Sequence, residues 1–109
     1  MFKVNQTPEF TRDVPVQTPD EEGYREDILK TRFRAIPVSE ADAFDLSTGE
    51  GTIAFLKRVI LRFENLVDDD EKPMTCTEAL IDQLLDQAFV RVALVGTYFK
   101  GLHKSASGN

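Results

Sequence analysis

Tryptophan is absent from this 109-residue chain, and cysteine and histidine occur once each, as Cys76 and His103. A lone cysteine excludes an internal disulfide, and its solitude fits a reducing compartment. The lone histidine stands near the C-terminus with no partner in sequence for acid–base work. No set of His, Cys and carboxylate residues has the spacing of a metal site. Purely apolar runs, such as that at 92–95, fall far short of the roughly 20 residues a membrane span needs. The opening MFKVNQTPEF has no apolar core of a secretory signal. The expectation is a soluble, cytoplasmic protein with no cofactor, no metal and no membrane partner.

What is present describes one folded domain. Apolar residues make up 41% and charged residues 29% of the chain, the balance of a globular protein rather than a disordered one. Net charge is −6 and unevenly spread. Residues 40–86 hold four basic and twelve acidic side chains, for −8, while 87–109 hold three basic and none acidic, for +3. An acidic middle repels phosphate backbones, so nucleic acid is not an expected partner.

The first third reads as β. Phe10, Val14 and Val16 alternate with polar residues, and Pro15 marks an edge strand. Residues 17–23, QTPDEEG, have turn chemistry, a loop of about seven residues. Leu29, Thr31, Phe33 and Ala35 then alternate with Lys30, Arg32 and Arg34, a half-buried strand with a basic outer side. Pro37 stops it. A lone hairpin is marginal in water, so it must lie on helices or pair with another subunit's strand, a route to a homo-oligomer.

Beyond Pro37 the pattern is helical. Ser39-Glu40-Ala41-Asp42 has capping-box spacing and opens a short helix, and Ser47-Thr48-Gly49-Glu50 offers a second start. Ile53, Leu56, Val59, Ile60 and Phe63 recur at helical spacing. Thr75-Cys76-Thr77-Glu78 is a stronger capping box, with Cys76 a small filler rather than a nucleophile. The helix after it turns Leu80, Leu84 and Leu85 inward and lays Glu78, Asp82 and Asp86 along an acidic ridge.

The last helix, over residues 88–104, dominates the reading. Val90, Val92, Leu94, Val95, Tyr98, Phe99 and Leu102 cover roughly half of its circumference, where a surface helix needs about 100° to dock. The surplus marks Val95, Tyr98, Phe99 and Leu102 as candidate partner-binding residues. Arg91 lies inside the apolar arc and is expected to pair with Asp82 or Asp86 across a helical hairpin. The expected fold is α+β and mainly α. It has a β-hairpin arm over 1–37, a body over 38–104 of about four helices with the last two as a hairpin, and a frayed tail over 105–109.

Chemical motifs fail on context. Gly49-Glu50-Gly51-Thr52-Ile53-Ala54 matches G-x-G-x-x-A, but a helix rather than a strand precedes it, so no dinucleotide unit is formed. The acidic run at 68–71 lacks the later ligands and the glycine of a calcium loop. No catalytic residues stand out, and the chain does not read as an enzyme.

A family pattern does emerge. Leu66-Val67 and the acidic turn run into Lys72-Pro73. Leu84-Leu85-Asp86, then Val90-Arg91-x-Ala93-Leu94 and Tyr98, follow. Upstream stand Thr31-Arg32-Phe33-Arg34 and Ile36-Pro37, before an acidic helix. Together these resemble the tail assembly chaperones of long, non-contractile-tailed phages and prophages. The resemblance implies a protein that coats the apolar, helical tape measure protein in the host bacterial cytoplasm and keeps it soluble. It would be displaced as tail tube protein polymerises, and would be absent from the mature virion. The competing expectation is a small structural virion component, such as a head–tail connector.

Overall fold

The computed structural model describes residues 1–103, and the frayed tail expected at 105–109 lies outside the described residues. Two 12-residue strands, β1 (Glu9–Asp20) and β2 (Gly23–Arg34), form a long antiparallel hairpin. Helices α1 (Val38–Ala41) and α2 (Gly49–Val59) follow, then strand β3 (Ile60–Phe63), then α3 (Glu78–Leu85) and α4 (Ala88–Gly101). The sheet order is β1-β2-β3, antiparallel throughout. The fold is α+β, with 36% helix and 29% strand, so the sheet is nearly as large as the helical part.

The hairpin forms as its alternation dictates. Val14, Val16, Leu29, Thr31 and Phe33 are buried on one face, and Lys30 is exposed on the other. Its turn is shorter than the seven-residue loop that the composition of 17–23 suggests. Asp20 pairs with Gly23 across only Glu21-Glu22. The Asp20 carboxylate accepts from the Glu22 N–H at 3.0 Å, and Gly23 supplies the φ of +133° that closes the turn. Pro19 stays in the ladder because its missing N–H points away from β2. Side chains continue the pairing there: Gln17 donates to Glu26 at 2.9 Å, and Thr18 to Asp27 at 3.0 Å.

The unexpected element is β3. The apolar spacing of Val59, Ile60 and Phe63 looks helical, yet α2 stops at Val59 and Ile60 turns to extended backbone (φ −88°, ψ 124°). Thr31 faces Phe63 and Phe33 faces Ile60, so the register shifts between Arg32 and Phe33. That irregularity turns two residues three apart to the same core, where a regular strand would place them on opposite faces. The body over 38–104 is therefore not purely helical. The edge of β3 is closed by Cys76, whose sulfur accepts from the Phe63 N–H at 3.4 Å.

Two of the four helices, α2 and α3, start on a side-chain cap. Thr48 Oγ1 accepts from the Gly51 N–H at 2.9 Å and caps α2. α3 is capped by Thr77, accepting from Leu80 N–H at 3.2 Å, rather than by Thr75. α1 begins after Pro37 with no side-chain cap, so the Ser39 box is not used. α3 and α4 are separated by Asp86-Gln87 alone, but α4 makes its most extensive contacts with β1 and then α2. A helical hairpin is thus not what organises the body.

The core lies between the sheet and α2 and α4. Phe33, Phe55, Leu56, Val59, Leu85, Leu94 and Tyr98 are fully buried. Tyr98 is its hub: its ring meets Phe10, Phe33 and Phe55 at centroid distances of 6.0, 5.7 and 5.4 Å. Its hydroxyl accepts from the Ile36 N–H at 3.1 Å, which satisfies a buried donor. Phe10 is seated on Gly101, where a Cβ would come within 2.6 Å of the ring.

Candidate docking surface on α4

The apolar arc of α4 divides once the sheet covers part of it. Val90, Leu94 and Tyr98, spaced four apart, face β1 and α2 and are buried. The other half stays uncovered. Val92 is 74% exposed, Phe99 37% and Leu102 41%, while Val95 is half-buried between them. Val92, Val95, Gly96 and Phe99 follow i, i+3, i+4, i+7 spacing, continued by Leu102 at i+10, the stripe with which one helix grips another. Of the four expected partner-binding residues, Val95, Phe99 and Leu102 reach this surface. Tyr98 does not: it is fully buried and works as core. Val92, read only as part of the arc, is the most exposed of the stripe.

Phe99 belongs to both sides. Its ring lies parallel to Phe55 at 5.7 Å and edge-on to Tyr98 at 5.2 Å, so its position is fixed by the core. A rigid aromatic is a low-entropy anchor for a partner.

Beside the stripe runs an open groove of about 480 Å³ between α4 and the start of α2. Leu46, Thr48, Gly49, Val92, Val95 and Gly96 line it, with Arg91 at one end. Arg91 is not paired with Asp82 or Asp86. Its Nη1 donates to the Leu85 carbonyl at 2.7 Å, satisfying an open carbonyl at the C-terminus of α3. A cation at a helix C-terminus also complements its dipole. Asp82 instead accepts from Lys57 of α2 at 2.7 Å, with Glu78 at 3.6 Å from the same ammonium. The Asp82 bond, helped by both carboxylates, raises the Lys57 pKa above its ordinary value. The acidic ridge of α3 thus ties α3 to α2.

The loop at the mouth of the groove is held by Asp45. Its carboxylate accepts from the Ser47 hydroxyl at 2.5 Å and the Ser47 N–H at 3.0 Å, and these bonds lower its pKa. A Cβ on Gly51 would sit 2.0 Å from the Asp45 carbonyl, so the loop folds flat against α2 only because residue 51 has no side chain.

Among the described residues no three His, Cys, Asp or Glu side chains come together as metal ligands. The acidic turn after β3 spends an Asp68 oxygen on its own backbone, accepting from Asp70 and Lys72 N–H groups at 2.8 and 3.0 Å. No described helix is long and apolar enough to cross a membrane. Compared with known proteins, the chain matches no family model, no curated protein and no solved structure.

Proposed function

We propose that this protein is a tail assembly chaperone of a long-tailed phage or prophage. On this reading it works by binding rather than catalysis, on the apolar helices of a tape measure protein in the bacterial cytoplasm. The observation that carries the reading is the uncovered stripe Val92, Val95, Phe99 and Leu102, beside an open groove of about 480 Å³. The resemblance over residues 24–102 supplies the identity of the partner, and the −8 charge of the middle segment supplies solubility for a complex with a greasy chain. Release when tail tube protein arrives requires many weak sites along one long partner, with avidity doing the holding.

Co-expression with the tape measure protein tests this directly. Wild type should move the tape measure protein from inclusion bodies to the soluble fraction. Val92→Glu with Leu102→Glu should abolish that rescue while leaving the far-UV circular dichroism and the melting temperature near wild type, because neither side chain belongs to the core cluster. Undiminished rescue by this variant would remove the surface from the mechanism. Mass spectrometry of purified particles adds a second test: a chaperone is absent, whereas stoichiometric retention would identify a connector.

A further inference from the structure

Half of the β2 edge is left without a backbone partner among the described residues. Lys30 faces away from β1: its N–H donates to Asn65 Oδ1 at 2.9 Å and its carbonyl accepts from Glu64 N–H at 2.8 Å. By the alternation of an antiparallel ladder, Ile28, Glu26 and Tyr24 also turn their backbone groups away from β1. β3 covers β2 only at residues 31–33, and Asn65 Nδ2 reaches as far as the Ile28 carbonyl at 2.8 Å. Beyond that point no described residue bonds this edge. The same alternation turns Pro15 and Pro19, which face Ile28 and Tyr24, outward on β1, where neither offers an N–H. One edge of the hairpin is blunted and the other is open.

We propose that two copies of this chain associate through β2, antiparallel about a twofold axis at Glu26. This register sets Tyr24, which is 66% exposed, opposite Ile28 of the second copy, which is 47% exposed. With the neighbouring prolines it makes an apolar row Pro19, Tyr24, Ile28, Pro15 across four strands on one face, repeated by symmetry. On the other face Arg25 stands opposite Asp27 of the second copy. Arg25 and Asp27 already form an ion pair at 3.0 Å within one chain, so the axis assembles a network of four alternating charges. Centring the axis on Arg25 or on Asp27 would also put one like-charged pair on the axis but would form neither Arg25–Asp27 pair, which selects the register. The cost is Glu26 facing its own copy, moderated by the Gln17 amide that each carboxylate holds. Asn65 ends the new ladder at Ile28, so the contact is short and the dimer weak and concentration-dependent. The prolines on β1 prevent the alternative, an open array of β1 on β2.

Sedimentation velocity over a concentration series tests the pairing with two charge reversals. Arg25→Asp and Asp27→Arg should each weaken self-association roughly tenfold, because each homodimer then opposes like charges at both symmetric positions. Mixed in equal amounts, the two variants should form a heterodimer at least as tight as wild type. Each variant alone carries an unfavourable pair within its own chain, so recovery on mixing reports the contact between chains and not repair of the fold. Glu26→Pro, which removes an outward N–H and leaves the β1–β2 ladder intact, should abolish the dimer with an unchanged circular dichroism spectrum. Wild type that stays monomeric up to about 1 mM, a protein with no affinity in the measurable weak range, overturns the proposal. So does a mixture no more associated than its components.

Discussion

Gly96 offers the sharpest test of whether α4 is shaped for a partner rather than for its own chain. It sits in the middle of the helix, and a Cβ built on it meets no atom within 4 Å. Glycine in a helix interior costs about 0.8–1 kcal/mol relative to alanine. Nothing inside the described molecule requires that cost, because no side chain or backbone approaches the position. Gly96→Ala should therefore stabilise the free protein by about 0.8–1 kcal/mol, or roughly 3–8 °C in melting temperature for a chain of this size. Calorimetry or thermal circular dichroism reads this directly. If Val92, Gly96 and Phe99 seat a helix, Gly96→Leu should fill the seat. That variant should melt no lower than wild type yet lose tape measure rescue in the co-expression assay. A fall in melting temperature for Gly96→Ala would show that the position is crowded from within. Full rescue by a stably folded Gly96→Leu would show that the groove takes no partner at this point.

Three further outcomes follow from the geometry. Tyr98→Phe keeps the ring but leaves the buried Ile36 N–H without its acceptor, so denaturant titration should show a loss of about 1–3 kcal/mol. Glu71 holds a left-handed backbone (φ 59°), and Glu71→Gly should gain about 0.5–1 kcal/mol by the same titration once that steric penalty is removed. Asn65→Ala removes both bonds to the β2 edge and should cost about 1–2 kcal/mol, with faster hydrogen exchange at the Lys30 amide than at Thr31.

The hairpin was legible in the sequence because burial on one face writes itself as alternation, which Val14, Val16, Leu29, Thr31 and Phe33 obey. Its turn was not, because Pro19 reads as a breaker until the register shows that its missing N–H faces outward. β3 was hidden for a related reason. A shifted register gives Ile60 and Phe63 the spacing of a helix, and only their pairing with Thr31 and Phe33 reveals a strand. On α4, periodicity found the full apolar arc but could not divide it. Which half is core depends on where β1 lies, a contact between residues about eighty positions apart in a chain of 109. Tyr98 and Val92 exchanged roles on that account. Arg91 was placed correctly as the residue against the pattern, but a carbonyl at a helix end outbid the carboxylates, and Lys57 had already taken Asp82.

The hairpin extends well past the packed interior, since Val16 and Leu29 are its last buried side chains before the tip. Beyond Ile28, whose carbonyl Asn65 holds, the outer stretch of each strand is bonded to its partner strand and behaves as a cantilever on a molecule 48 Å in its longest dimension and about 30 Å in the others. Shortening it by matched pairs of residues should therefore leave the melting of the globular part untouched while changing its tumbling time. Length of reach and solidity of the base can drift independently in such an arrangement, which lets a lineage tune one without endangering the other.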